Sequence, residues 1–195
     1  MPDLLLASAS PRRAELLRQL GVSFEQRGAD IDERQLPDEA VEDYVVRLAQ
    51  QKSAALHDGN HEVAVLAADT CVVLDEQILG KPEDHFDGLA MLARLSGRQH
   101  RVLTAVCLRW GAEMAETLSV TRVQFASLSR EQCEAYLATD EPWDKAGGYG
   151  IQGVAGAFVN SLEGSYSGVV GLPLAETWAL LQQAGIATAL DGARP

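Results

Sequence analysis

The chain has 195 residues, of which 47% are hydrophobic, enough to bury one full core and consistent with a single domain of one or two lobes. Its formal net charge of −12 excludes a general nucleic-acid binder, which needs a basic face, and makes each clustered positive charge informative. No run approaches the roughly 20 apolar residues that span a bilayer, and Cys71, Cys107 and Cys133 are too widely spaced for a disulfide frame or a metal site, so the expectation is a cytoplasmic protein with no membrane partner.

In chain order, "LLLASASPRRAELLRQLG" (Leu4–Gly21) reads as a buried strand over Leu4–Ala7, a small-residue turn and an amphipathic helix over Arg12–Leu20. The apolar part of "LLLASAS" is too short for a signal segment, follows Asp3 and precedes arginines. Val22–Gly28 alternates like a strand, "ADIDERQLPDE" is an acidic loop, and Ala40–Leu56 has helical spacing through Val41, Tyr44, Val45, Leu48 and Ala49. Val63–Ala67 and Cys71–Leu74 are strand-like runs interrupted by Ala68-Asp69-Thr70, the second ending at an Asp75-Glu76 turn. Phe86–Leu95 reads as a helix. "HRVLTAVCLRW" and "MAETLSVTRVQFASL" form an antiparallel hairpin about Gly111. Ser129–Thr139 begins with a capping box (Ser129, Gln132). A strand over Ala157–Leu162, a loop at Gly164, a short strand near Val169-Val170, a helix over Pro173–Gln183 and a frayed tail from about residue 186 complete the chain. The order predicts an α/β fold, with an elongated, mixed and partly antiparallel sheet flanked by helices.

Ser10 suits a helix N-cap and Pro11 the first helical position. Arg12 and Arg13 then sit where the helix carries partial positive charge, an arrangement that makes sense if an anion binds there. Asp69 follows an apolar strand: it either caps the next turn or is a metal ligand or general base at a sheet edge. Glu33 lies in "DIDER" with Asp30 and Asp32, a loop that is either simply solvated or lends one or two carboxylates to a hard cation. Lys52 is either a solvent-facing lysine near a helix end or a phosphate contact. Lys81 is pinned between Gly80 and Pro82 and aimed. His100 reads as a structural histidine.

"GYGIQG" (Gly148–Gly153) matches the dinucleotide G-x-G-x-x-G pattern but precedes a strand and opens no helix, so that reading fails. Its glycines instead let backbone approach a flat ligand, with the Gln152 amide offering a donor and an acceptor. There is no P-loop, Cys/His metal spacing or nucleophile elbow. The residues themselves therefore reach as far as a phosphate-ester site.

The motifs "SASPRRAELL", "DIDE", "AADTCV", "LGKP", "SGRQHRVLTAV", "DEPWDKAGGYGIQG" and "GSYSGVVGLPL" occur in one order from Leu4 to about Leu181 and together resemble the Maf family of nucleoside triphosphate pyrophosphatases. The "KAGGYGIQG" form is similar to the branch acting on dTTP and UTP; the 7-methyl-GTP branch differs there. The resemblance implies a Maf/ITPase-like fold with a cleft between two lobes, a homodimer, and hydrolysis of the α–β phosphate link of dTTP, UTP or modified pyrimidine nucleotides with Mg²⁺ or Mn²⁺. It implies catalytic roles for Asp69 (general base), Glu33, Lys52 and Lys81, metal ligation by Glu33 and Asp69, and substrate contacts from Ser10, Arg12, Arg13, Thr70 and Gln152. The chain departs from many members at Gly168, where they carry Asn before "VVGLP". The rival expectation is a regulator of septum formation that holds a nucleotide without turning it over; a house-cleaning role in nucleotide metabolism goes with the enzyme reading.

Overall fold

The computed structural model describes residues 4–57 and 63–192. Its elements run β1 (Leu4–Ala7), α1 (Pro11–Gln19), β2 (Glu25–Arg27), α2 (Val41–Leu56), β3 (Ala64–Leu74), β4 (Gln77–Leu79), α3 (His85–Leu95), β5 (Gln99–Trp110), β6 (Glu113–Phe125), α4 (Arg130–Leu137), β7 (Val159–Glu163), α5 (Tyr166–Val170) and α6 (Leu174–Gln183). The seven strands form one mixed sheet in the order β2-β1-β3-β5-β6-β7, with β4 paired to β3. The predicted mixed α/β sheet with flanking helices is the observed fold. The chain divides into two compact units: Met1–Asp69, Thr104–Ser119 and Gly171–Pro195 in the first, Thr70–Leu103 and Val120–Val170 in the second.

In the first unit β1 lies parallel to both β2 and β3, with Leu5 opposite Glu25 and Val65. Every residue of β1 is buried, as a central parallel strand covered on both faces requires. Helix α2 buries Val41, Val45, Leu48, Ala49, Lys52 and Ser53, one stripe at helical spacing that includes a lysine.

In the second unit β3, α3, β5, β6 and α4 share a core that includes Val72, Leu92, Val102, Phe125 and Leu137. Phe125 stands edge-on to His100, Tyr149 and Phe158, with ring centroids 4.9, 4.8 and 6.1 Å away. Helix α4 has the predicted capping box.

Three expectations need correction. Strand β3 is continuous from Ala64 to Leu74, because Asp69 is answered by a buried cation and need not leave the strand. The stretch around Val169-Val170 is helix α5: the Ser165 hydroxyl accepts from the Gly168 amide at 3.0 Å, and the cap outweighs the β preference of two valines. Residues 186–192 are not frayed; 193–195 lie outside the described residues. The Ala189 amide donates to the Leu20 carbonyl at 2.8 Å, and Asp191 accepts from the amide and hydroxyl of Thr188. Gly21 (φ +70) permits that closure, since a Cβ there would lie 2.7 Å from that of Ala189.

His100 is structural, as expected. It is buried, its Nε2 is 2.8 Å from the Tyr149 hydroxyl and its Nδ1 has no partner among the described residues. A second proton would bury an unpaired N–H, and burial pushes the pKa down to about 4. The unfolded chain therefore binds more protons than the folded one between about pH 6.5 and pH 4, and stability falls as pH drops through that window. Urea unfolding of a His100→Gln variant, which retains a hydrogen-bonding group for Tyr149, gives a flatter pH dependence there than the wild type.

Candidate active site

The β1–α1 turn is tied before any ligand arrives. The buried Ser8 hydroxyl accepts from the Ser10 amide (3.2 Å) and from Arg13 Nη1 (3.3 Å). Gln26 on β2 donates to the Ser8 and Ser10 carbonyls. Ser10 caps α1, accepting from the Arg13 amide at 3.4 Å, and the first turn holds no acidic residue. Arg13 Nε donates to the Gly171 carbonyl at 2.9 Å, so its guanidinium is held from two sides at a helix start. Burial lowers the Arg13 pKa; Asp69 and Glu33 oppose that and neighbouring Arg12 adds to it. Two arginines and a helix N-terminus make a positive locus suited to a polyanion.

Asp69 lies mid-way along β3 and is buried. Lys52 Nζ reaches it from α2 at 2.6 Å (Oδ1) and reaches Glu33 Oε1 at 2.7 Å. The Lys52 and Asp69 side chains are 11% and 9% exposed, whereas Glu33 is 57% exposed, so the cluster opens to solvent on the Glu33 side. Burial raises the Asp69 pKa, against the pull of Lys52 and Arg13. Neither the turn-capping reading of Asp69 nor the solvent-facing reading of Lys52 survives this geometry.

The acidic loop carrying Glu33 is strapped to α2. The Tyr44 hydroxyl donates to the Glu33 carbonyl at 3.0 Å, and Arg47 donates to both Glu39 carboxylate oxygens and to the Arg34 carbonyl. Asp32 pairs at the surface with Arg34 and takes no part in the Lys52 cluster.

The first unit thus brings Arg13, Glu33, Lys52 and Asp69 together, with Ser10 and Arg12 on the same helix start. Thr70 follows Asp69 in β3, so strand alternation sends its side chain to the opposite face. Lys81 and Gln152 belong to the second unit and are exposed. The Gly147 amide donates to the Gly80 carbonyl beside Lys81 at 2.8 Å. Gly147 (φ +72) packs against Val72, where a Cβ would come within 3.0 Å. Among the described residues the Gln152 side chain makes no hydrogen bond.

Sequence reasoning missed Ser8, Gln26, Tyr44 and Gly171, which fix the named residues mainly through backbone atoms. Only Ser8 carried a signal, lying in the "SASPRR" turn.

The carboxylates also fit a divalent cation. Among the described residues no group of three or more His, Cys, Asp and Glu side chains converges. Magnesium, however, needs only one or two carboxylates, with water and phosphate completing its shell. Glu33 and Asp69 already point at one common positive charge, the Lys52 ammonium.

A family model described as "Maf-like protein" matches residues 3–184. The dTTP/UTP pyrophosphatase of Anaeromyxobacter dehalogenans is 53% identical over 188 residues, covering 94% of this chain and 95% of that protein. That of Methylococcus capsulatus is 52% identical over 195 residues, covering 98% and 96%. That of Escherichia coli is 49% identical over 182 residues, covering 93% and 92%. Among solved structures, the Staphylococcus aureus Ham1 protein aligns with TM-score 0.43 and 12% identity over 63% of this chain and 71% of that one, too distant to bear on function. With a family match over nearly its whole length and relatives at half identity or more, the chain belongs to the Maf family.

Proposed function

We propose that this protein hydrolyses the α–β phosphate link of dTTP and UTP, releasing the nucleoside monophosphate and pyrophosphate. The observation that carries the reading is the buried Lys52–Asp69 pair, shared with Glu33 and neighboured by Arg13. The names of the relatives supply the substrate class.

A triphosphate is slow to hydrolyse because its charge repels a nucleophile, so the site must neutralise charge and orient water. Arg12, Arg13 and the Ser10-capped helix start bind phosphate oxygens. Lys52, held in place by its two carboxylates, and the exposed Lys81 add point charges. Asp69, whose raised pKa makes it a stronger base than an ordinary aspartate, accepts the proton of the attacking water. Glu33 and Asp69 would hold Mg²⁺ or Mn²⁺, which when bound supplies further neutralisation at the phosphates. The Gln152 amide pairs with the adjacent carbonyl and N–H of uracil or thymine.

Among the described residues no helix is long and apolar enough to cross a membrane. A cytoplasmic homodimer that clears unwanted pyrimidine nucleotides is the setting that accords with this chemistry.

Incubation with Mg²⁺ and dTTP, UTP, CTP, dATP, GTP or 7-methyl-GTP, resolving pyrophosphate from orthophosphate, tests the reading. Pyrophosphate with dTMP and UMP is expected. Orthophosphate contradicts the bond assignment, and tight binding without turnover supports the regulator reading. Asp69→Asn lowers kcat by about 100-fold or more, the usual scale for removing a general base. Gln152→Ala narrows the preference for UTP over ATP; an equal loss on both nucleotides contradicts base reading.

A further inference from the structure

The turn that carries Gln152 is held by a group that no reading above uses. Glu141 lies just after α4, before the 3₁₀ turn Pro142–Asp144. Its Oε2 accepts from the Val154 amide at 2.9 Å, and its Oε1 accepts from the Ala155 amide at 3.4 Å and the Tyr136 hydroxyl at 2.9 Å. That hydroxyl accepts in turn from the Gly150 amide at 3.2 Å. Burial, then the bond to Glu141, raises the Tyr136 pKa, so its proton stays in place to make the link. Gln152 is therefore bracketed: two residues before it (Gly150) and two and three beyond it (Val154, Ala155), anchored amides converge on the Tyr136–Glu141 pair.

The glycines fit this purpose. A Cβ on Gly153 would occupy the space of the Glu141 carboxylate, and one on Gly150 would lie 2.8 Å from Lys145 Cε. Lys145 Nζ donates to the Glu141 carbonyl at 2.5 Å, fixing the other side of the same residue. On the near side Tyr149 is buried against His100 and Phe125. An exposed amide on a loop samples many orientations, and ordering it on binding weakens discrimination; a turn held at both ends avoids that.

The geometry points to Glu141, acting with Tyr136, as the positioning residue that presents Gln152 to the pyrimidine base. This rests on the base-reading role of Gln152 proposed above. Neither group touches substrate in this account. Glutamine at 141 cannot reproduce the arrangement, because its single carbonyl oxygen leaves either the Val154 amide or the Ala155 amide facing an NH₂ group.

The test compares kcat/KM for UTP, dTTP, CTP and ATP with Mg²⁺ in the wild type, Glu141→Gln, Glu141→Ala, Tyr136→Phe, Gln152→Ala and the Glu141→Ala/Gln152→Ala double variant. Amide hydrogen exchange over residues 150–155 is followed in parallel. Glu141→Ala is expected to lower the UTP-to-ATP preference by about tenfold or more, the scale of one lost hydrogen bond to the base. Glu141→Gln and Tyr136→Phe fall between it and the wild type, exchange quickens over 150–155, and the double variant discriminates no worse than Gln152→Ala alone. Two results overturn the inference while leaving base reading intact: full discrimination in Glu141→Ala where Gln152→Ala has lost it, or an equal loss on all four nucleotides with faster exchange throughout the protein. Unchanged discrimination in Gln152→Ala removes the base-reading role itself, and the positioning role falls with it.

Discussion

A lysine ammonium held between Asp69 and Glu33 is the interaction around which the candidate site of the first unit is arranged. An aspartate in a strand buried on both faces is costly unless a cation meets it. Lys52 meets it at 2.6 Å, which lets β3 run unbroken through Asp69. The same requirement dictates that α2 present a lysine from its buried stripe and that the acidic loop be strapped to that helix by Tyr44 and Arg47. A sheet needs no such cluster to hold together, since well-packed apolar residues of similar volume stabilise a core at least as well as a buried ion pair. The proposed hydrolysis, on a substrate that brings its own charges, gives a reason for its presence.

The candidate site side chains stand on backbone that is fixed elsewhere. Ser8 and Gln26 fix the turn before α1, Gly171 takes the Arg13 guanidinium, and the Gly80–Gly147 bond steadies the loop of Lys81. In the second unit Tyr149, Tyr136 and Glu141 do the same for the segment around Gln152. Charged and polar groups that must not reorganise during a reaction gain from such preparation, because the ordering entropy is already spent on folding.

The fold class and most elements could be read from the sequence, because local signals and packing agree there: Ser10-Pro11 at α1, the Ser129 capping box, the Gly111 turn. The misreadings share a cause. Polar residues in β3 looked like a break because the balancing lysine lies 17 positions earlier, beyond any local window. The Val169-Val170 pair reads as a strand because two valines favour one locally, whereas the helix depends on the Ser165 hydroxyl capping the Gly168 amide. Lys52 could have been placed better: Val41, Val45 and Leu48 already set a helical stripe on which residue 52 falls next. Arg12 and Arg13 stood out because they oppose a local rule, and such violations collect at functional sites. The backbone partners of Arg13 and the bonds of Glu141 to distant amides left no trace in the sequence, since a carbonyl or an amide is available at almost every position.

The central claim is that the charged cluster serves chemistry and not the fold. The most direct test is the double variant Lys52→Met/Asp69→Leu, which removes the hydrogen-bonded buried pair together, leaves the exposed Glu33 to solvent and leaves Arg13 its bonds to Ser8 and Gly171. Unfolding free energy by urea and turnover of UTP with Mg²⁺ are measured on the same preparation. The account predicts stability unchanged or raised by about 1–4 kcal/mol, as when a buried ion pair is replaced by apolar residues, together with loss of turnover. A variant that loses several kcal/mol of stability, or one that still hydrolyses UTP, would contradict it.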